Sequence, residues 1–359
     1  LWVTYEKGFF SKYGLNVELV LVEGGSRAAQ TLASGAVAFA QLAGAGVIQS
    51  NLRGADIVMI AGILNTMNYQ FIVDKNVQRP DQLKGKALAV SRYGSSSDFA
   101  IRFALDKYGL VPDKDVKILE IGTQPDRFAA LESGRVQGVM LEVPQSLHAK
   151  KKGFRVLANL KMLGLEYQHT GLATTRALTK SQPDLVRNVM KAYVEGIHYY
   201  KTHRQESLTV LAKYLKTNNA EALKEIYQDI GLALVPAKPY PTLKGIDAIL
   251  REVGEKEPET KTLRPEQFVD LSFVKELDNS GFIDRLYKTK PIVVADKPPR
   301  LPVEAVDYAV KAGDTLSDLA EWFYGSPLKW PKIYEANRKV IVNPDYIYIG
   351  QKIAIPPAA

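Results

Sequence analysis

Short apolar runs alternate with amphipathic stretches over roughly the first 170 residues of the chain. Between most of these runs, apolar residues recur at three- and four-residue spacing, as in segments 96–108 and 125–133, and a glycine follows each of these two segments. Strands that alternate with crossover helices predict an α/β architecture with largely parallel sheets. The predicted strands are residues 15–22, 36–42, 57–63, 71–73, 87–91, 116–121, 137–143 and 155–160.

Beyond about residue 175 the pattern changes to consecutive helices. Pro183 suits the first turn of a helix, and apolar residues follow it at three- and four-residue spacing as far as Ile197, which forms one continuous stripe. Such helices pack most economically on a sheet formed earlier in the chain. Further helices are predicted at residues 207–214, 220–234, 242–253 and 265–279.

A proline-rich segment separates the last of these helices from the C-terminal residues. Residues 291–305 contain four prolines, which predicts a stiff, extended linker. Residues 306–357 must then form a separate small module. Alternating strands at 308–310 and 352–355 enclose two short amphipathic helices, so the module is predicted to be βααβ.

Length and composition exclude several classes of protein. A chain of 359 residues predicts two or three folding units. The net charge of +8 comes from Lys and Arg spread along the chain, which does not favour nucleic-acid binding. The chain has no Cys, so disulfides, thiolate metal sites and a cysteine nucleophile are excluded. Its four His residues form no HExxH motif, and no GxSxG motif occurs, so no enzyme, metal or cofactor is predicted.

The C-terminal module resembles a LysM domain over its whole length, beginning with YAVKAGDTLSDLAEWFYG at residues 308–325. The resemblance implies an N-acetylglucosamine-containing glycan as ligand, with peptidoglycan first and chitin-like oligomers second. Some members of that family act only as spacers, and Asp314 or Thr315 would cap a helix in any case. The glycan-binding residues that the resemblance implies are Gly313, Asp314, Thr315, Leu316, Asn343, Pro344, Asp345 and Ile347.

The larger part, about residues 1–290, resembles the nitrate/sulfonate/taurine-binding family of ABC-importer proteins, which includes binders of the thiamine pyrimidine precursor. Motifs in the expected order carry the resemblance, among them YEKGFFSKYGLNVELV at 5–20 and SRYGSSSDF at 91–99. It implies a type II periplasmic-binding-protein fold. Lobe 1 would comprise residues 1–86 and 172–290, and lobe 2 residues 87–171. Family members begin with a strand before the opening helix. We expect either that this strand and a signal peptide lie upstream of Leu1, or that lobe 1 lacks a strand that is normally buried.

The solute is expected in the cleft between the two lobes. Free N–H groups at the start of the helix after Gly94 favour an anion, and serine hydroxyls add donors. Glu142 would instead repel an anion and suit an amine or hydroxyl donor. The candidate solute-binding residues are Gly94, Ser95, Ser96, Ser97, Gly25, Ser26, Ala43, Gly44, Asn65, Asn68, Tyr69, Glu142 and Thr170.

These resemblances imply an exported, monomeric solute-binding protein, located in the periplasm or cell envelope. It would deliver a small anionic or polar solute, such as a sulfonate, nitrate or a pyrimidine precursor, to a membrane ABC permease. The LysM module would hold it on peptidoglycan. The alternative is a wall-bound sensor or scaffold that kept the binding fold without import. A cell-wall hydrolase is the rival among enzymes, because LysM modules often accompany such enzymes.

Overall fold

Three sheets organise the protein, for which a computed structural model describes residues 1–22, 25–163, 165–288, 304–310, 314, 316–324, 326, 329–341, 344, 347 and 350–357. The chain divides into two compact units. The larger unit comprises Leu1–Ile230 and Leu234–Tyr287, and the smaller comprises Gly231–Ala233 and Lys288–Ala359. The larger unit contains two of the sheets, and the smaller contains the third.

The first sheet of the larger unit has the strand order β1-β8-β2. Its strands are β1 (Phe39–Leu42), β2 (Ile57–Thr66) and β8 (Glu166–Thr175). Both pairs are antiparallel, so the prediction of largely parallel sheets is wrong for this sheet. Successive residues of β2 face opposite sides: Ile57 and Met59 lie in one apolar cluster, and Val58 and Ile60 in another. The sheet is therefore covered on both faces.

The second sheet has the strand order β5-β4-β6-β3-β7, and β4 runs parallel to both β5 and β6. The strands are β3 (Gln70–Val73), β4 (Ala87–Val90), β5 (Lys117–Glu120), β6 (Gly138–Leu141) and β7 (Arg155–Asn159). Strand β3 pairs antiparallel with β6 and β7, although the predicted boundary assigned it to lobe 1. The other predicted lobe bounds stay predictions.

Helices cover the two sheets of the larger unit. The long helix α9 buries Val186, Val189, Met190, Val194 and Ile197, so the apolar stripe predicted from the sequence is confirmed. The helices are α1 (Trp2–Glu6), α2 (Phe9–Lys12), α3 (Gly25–Ala33), α4 (Gly44–Asn51), α5 (Ser96–Lys107), α6 (Gln124–Glu132), α7 (Gln145–Lys151), α8 (Arg176–Ser181), α9 (Pro183–Thr202), α10 (Arg204–Leu215), α11 (Ala220–Lys224), α12 (Leu243–Lys256), α13 (Ser272–Asn279) and α14 (Phe282–Lys288). A π-helical segment, Glu225–Leu232, follows α11.

Three sequence-based expectations differ from the structure. Residues 15–22 form no strand, because no described strand lies beside them to complete a hydrogen-bonded ladder. Strand β8 was not predicted. The predicted helix 265–279 is split, because the segment between its two parts pairs with β2: Asp270 N–H donates to the Met59 carbonyl at 2.9 Å.

The smaller unit has the predicted βααβ order, with β9 (Val306–Ala309), α15 (Leu316–Tyr324), α16 (Trp330–Ala336) and β10 (Lys352–Ile355). Strands β9 and β10 pair antiparallel, with Tyr308 opposite Ile353. Both helices bury apolar residues against this pair, including Leu319, Phe323 and Ile333. Asn337 ties the end of α16 to β10, because its side chain accepts from Ala354 N–H at 2.8 Å and donates to the Ala354 carbonyl at 2.6 Å.

The described helices include none that is both long and apolar enough to cross a bilayer.

Candidate functional site

Two crossovers join the sheets of the larger unit at the edge where β4, β5 and β6 end. Residues 67–69 lead from β2 to β3, and residues 160–165 lead from β7 back to β8. The crossovers lie side by side, because Leu160 N–H donates to the Tyr69 carbonyl at 2.8 Å. Ligands of open α/β sheets bind outside the carboxyl ends of parallel strands. This edge, the junction, is therefore the candidate site.

The serine loop, residues 91–97, follows β4 and leads into α5. Gly94 has φ of 72°, and a Cβ there would lie 3.1 Å from Nε2 of Gln49, so the turn requires glycine. Ser95 caps α5 by accepting from Asp98 N–H at 3.3 Å. The hydroxyls of Ser95 and Ser97 lie 3.0 Å apart, and Ser97 also accepts from Ser91 N–H at 2.9 Å. The loop therefore satisfies most of its own hydrogen bonds.

A buried carboxylate already lies at the start of α5. Asp98 is fully buried, and its Oδ2 accepts the Gly94 N–H at 2.9 Å while Oδ1 pairs with Arg102 Nε at 2.8 Å. A carboxylate in this position uses the loop amide and the positive end of the helix dipole, both of which an anionic ligand would need. The start of α5 therefore already holds one negative charge that belongs to the protein itself.

Ser96 connects the serine loop to the first sheet. Its hydroxyl accepts a hydrogen bond from the hydroxyl of Tyr167, the second residue of β8, at 3.3 Å. The Tyr167 ring is fully buried and lies 4.6 Å from the Phe99 ring, centroid to centroid. Residues from both sheets therefore meet at the junction.

Glu142, which follows β6, is the centre of a polar cluster at the same junction. It accepts from Gln124 Nε2 at 2.8 Å and lies 3.1 Å from His169 Nε2 of β8. Burial opposes ionisation of this carboxyl, but hydrogen bonds from His169, Gln124 and Asn68 outweigh that cost, so the pKa of Glu142 lies below its ordinary value. The cluster holds a carboxylate whose side chain is only 22% exposed.

Tyr69, in the crossover from β2 to β3, packs against this cluster. Its ring packs edge-on against the ring of His169, with the centroids 5.1 Å apart. Burial, reinforced by the Glu142 charge, holds the pKa of the Tyr69 phenol well above its ordinary value, so the phenol is neutral and can donate. The structure thus brings together Asn68, Tyr69 and Glu142 of the predicted site residues, and Ser96 lies beside them through Tyr167.

The remaining predicted solute-binding residues have other surroundings. Asn65 donates to the Tyr240 carbonyl at 3.1 Å, and the Thr170 carbonyl accepts from Gln168 Nε2 at 3.0 Å. A Cβ on Gly44 would lie 2.9 Å from Ile246 Cδ1, so the protein itself closely approaches this backbone. Ala43 precedes α4 as its N-terminal capping residue, and Gly25 and Ser26 open α3. No hydrogen bond or ring contact joins these residues to the Glu142 cluster in the described part of the chain, and their binding roles stay predictions.

The predicted glycan groove is described only in part, because Gly313, Thr315, Asn343 and Asp345 lie outside the described residues. Asp314 accepts from the Tyr308 hydroxyl at 2.8 Å. Leu316 is 3% exposed and Ile347 packs on the same core, so their side chains contribute to the module's interior. Pro344 is half-buried.

The family model described as NMT1/THI5 like matches residues 1–207, which is more than half of the chain. The chain belongs to the NMT1/THI5-like family. The LysM domain model matches residues 308–356, so the C-terminal module is a LysM domain, as its sequence predicted. The α/β periplasmic-binding-protein fold is confirmed by solved structures with the same fold.

Among the relatives of this family member, YtlA of Bacillus subtilis carries the name of a binding protein and is 24% identical over 58% of this chain. The chain covers 64% of YtlA's length. The alkanesulfonate-binding protein SsuA of Xanthomonas axonopodis pv. citri, bound to MOPS, has a TM-score of 0.61 and 18% identity, over 74% of this chain and 90% of SsuA. The desulfurization enzyme DSZB has a TM-score of 0.58 and 13% identity, over 78% of this chain and 95% of that enzyme. At these identities the two solved structures establish the shared fold alone.

Sequence reasoning missed Tyr167, His169 and Gln124. Tyr167 and His169 lie in a strand that was not predicted, so their position beside Glu142 could not be inferred. Gln124 directly follows Thr123, which caps α6. Its place in the first turn of a helix was the sequence signal that could have marked it as a site residue. Its side chain both donates to Glu142 and accepts the Glu142 N–H at 2.7 Å.

Proposed function

We propose that this chain is the extracytoplasmic solute-binding component of an ABC importer. The observation that carries the proposal is the meeting of both sheets at the junction: Tyr167 bonds to Ser96, and His169 to Glu142. A ligand shifts a closing equilibrium only through contacts that differ between the open and closed states. A solute at the junction would touch residues from both sheets, and an ABC permease would receive it from the closed form.

The LysM domain supports a second part of this proposal, retention on peptidoglycan. Several weak contacts to N-acetylglucosamine units would keep the binding protein in the cell wall, as a monomer close to its permease. Import and retention are separable, because the larger unit carries the solute site and the LysM domain carries the glycan site.

The proposal is that the chain binds and does not catalyse. It has no Cys, so cysteine-dependent chemistry on this fold is excluded. The His169–Glu142 pair has the composition of a general base. Glu142 already accepts a hydrogen bond from Gln124, however, and the pair has a simpler role in orienting polar groups toward a solute.

A thermal-shift screen tests the solute-binding part. The panel contains sulfonates, nitrate, carboxylates, pyrimidines and amines. A solute that binds only the folded state stabilises it by about 2.7 kcal/mol at a hundredfold excess over its dissociation constant. A concentration-dependent rise in melting temperature with one chemical class supports the proposal. An unchanged melting temperature across the whole panel contradicts it and favours a wall-bound sensor or scaffold.

Sedimentation with purified peptidoglycan tests retention. The full chain is expected in the pellet, and a chain that ends near residue 300 is expected in the supernatant. The melting temperature of the shortened chain serves as the control for folding of the larger unit. If the shortened chain still sediments, glycan binding does not depend on the LysM domain.

A further inference from the structure

Several buried polar atoms at or next to the junction have no hydrogen-bond partner among the described residues. They include Asn68 Oδ1, Gln70 Oε1, Asn159 Oδ1 and His169 Nδ1. Gln70 is 8% exposed and His169 is 6% exposed, so bulk water does not satisfy them. A buried polar atom without a partner costs about 1–3 kcal/mol. Unpaired buried acceptors at the junction indicate a site that is completed by a ligand with hydrogen-bond donors.

Three of these side chains, those of Asn68, Gln70 and His169, lie beside a carboxylate, which can only accept. The Asn68 amide helps to hold the pKa of the Glu142 carboxyl below its ordinary value, and Gln70 Nε2 donates to Glu225 Oε1 at 3.2 Å. In both amides the oxygen is the buried atom without a partner. His169 directs Nε2 toward Glu142 Oε1, so in the neutral ring Nδ1 is an acceptor.

The charges and rings at the junction agree with a cationic ligand. Arg127 is the opposing charge, but two of its nitrogens donate to the Gly122 and Met140 carbonyls, at 2.5 and 3.2 Å. Its Nε is buried and has no hydrogen-bond partner among the described residues, and the same holds for the Ser146 hydroxyl, whose backbone N–H donates to the Glu142 carbonyl at 2.9 Å. The rings of Tyr69 and Tyr167 flank His169, with centroids 5.1 and 6.4 Å from its ring. Aromatic rings near a carboxylate are a feature that this cluster shares with sites for organic cations.

We propose that the junction binds a small organic cation whose ammonium or amidinium N–H groups donate to Glu142, Asn68 and His169. This inference rests on the proposed solute-binding function and specifies its ligand class. A sulfonate offers only acceptor oxygens to these acceptor atoms, and Asp98 already takes the Gly94 amide that an anion would use. The donor groups of the ligand would replace the missing partners of the buried acceptors.

Isothermal titration of the full chain with matched compounds tests this ligand class. The probes are benzamidine and benzylamine, with benzyl alcohol and benzenesulfonate as neutral and anionic counterparts on the same ring. We expect the two cations to bind at least about tenfold more tightly than benzenesulfonate, a difference that corresponds to one charge-assisted hydrogen bond. Tighter binding of benzenesulfonate overturns the ligand class but leaves solute binding intact. If none of the four compounds binds, the ligand class is overturned, and the broader thermal-shift screen then decides the proposed function separately.

Glu142→Gln tests the residue assignment. It keeps the shape of the side chain and removes the charge, and we expect the cations to bind about tenfold or more weakly. Glu132→Gln is the matched control, because Glu132 lies at the C-terminal end of α6, away from Gln124, and pairs with Lys152. The cations should bind the Glu132→Gln variant as tightly as they bind the unsubstituted chain. If Glu142→Gln does not fold, Asn68→Ala provides the second variant, expected to weaken the cations severalfold and to leave benzyl alcohol less affected. Unchanged cation affinity in the variant that folds overturns the assignment.

Discussion

Neighbouring residues of β8 meet two different requirements. One position must be tightly packed, and another carries a buried polar atom without a hydrogen-bond partner. Gly171 in β8 shows the first, because a Cβ there would lie 2.3 Å from the Ala61 carbonyl oxygen and 2.6 Å from Met59 Sδ. The neighbouring His169 shows the second, since its Nδ1 is buried without a partner. Within three residues, one strand therefore changes from a tightly packed position to one suited to a ligand.

We expect Gly171→Ala to destabilise the larger unit by about 1–3 kcal/mol, because the backbone of β2 cannot move away from the added methyl group. Urea unfolding monitored by circular dichroism measures the change. Gly25→Ala is the control: Gly25 opens α3, and a Cβ there meets nothing within 4 Å. Equal stability of the two variants would contradict the packing described for β8.

The lowered pKa of Glu142 predicts a pH-dependent contribution to stability. A carboxyl whose pKa is lower in the folded state stabilises the protein above its ordinary pKa, and this contribution is lost as the pH falls through the folded-state value. The free energy of unfolding of the unsubstituted chain should therefore approach that of Glu142→Gln as the pH falls from about 7 to about 3. Urea titrations of both proteins across this range measure the gap. A gap that is the same at both pH values would contradict the lowered pKa.

Elements were predictable where the local pattern and the tertiary environment agree. The stripe of α9 was read from the sequence because all its apolar positions face one cluster. Strand β8 was missed because Gln168, His169 and Thr170 interrupt its apolar pattern, and these polar residues are tolerated only through partners elsewhere. Gln168, for example, is fully buried and accepts the Thr242 N–H at 2.7 Å. Residues 15–22 show the reverse case, a strand-like pattern without a described neighbour.

Only part of the Glu142 cluster could be predicted from the sequence. Asn68, Tyr69 and Glu142 were chosen because they lie near a crossover or after a strand. The partners that complete their cluster, His169 and Gln124, come from elements 27 and 18 residues away from Glu142 along the chain. No local pattern encodes such contacts, since they depend on how β8 and α6 pack against the second sheet.

In the LysM domain, Asn337 joins α16 to β10, and its loss should destabilise this element pair. Asn337→Ala leaves the Ala354 N–H and the Ile333 and Ala354 carbonyls without their partner, so we expect a loss of about 1–3 kcal/mol. Tryptophan fluorescence during urea unfolding follows this domain, because Trp322 and Trp330 are two of the three tryptophans of the chain. Arg338→Ala, at an exposed neighbour, is the control. An unchanged transition would show that the asparagine is dispensable.

At the scale of the whole molecule, the chain combines a periplasmic-binding-protein fold with a LysM domain. The NMT1/THI5-like part and the LysM domain each have their own apolar core. Solute binding and wall retention should therefore be independent activities. If the proposed import function holds, their combination would keep the solute-binding protein in the cell wall, close to a membrane permease.

The central claim is that a solute binds at the junction between the two sheets of the larger unit. Hydrogen exchange of the full chain, with and without a saturating solute from the screen, tests this claim most directly. We expect slower exchange in residues 91–99, 139–146 and 166–172, which carry the serine loop, Glu142 and His169, and unchanged exchange in the LysM domain. Protection confined to other segments of a chain that demonstrably binds the solute would contradict the junction as the binding site.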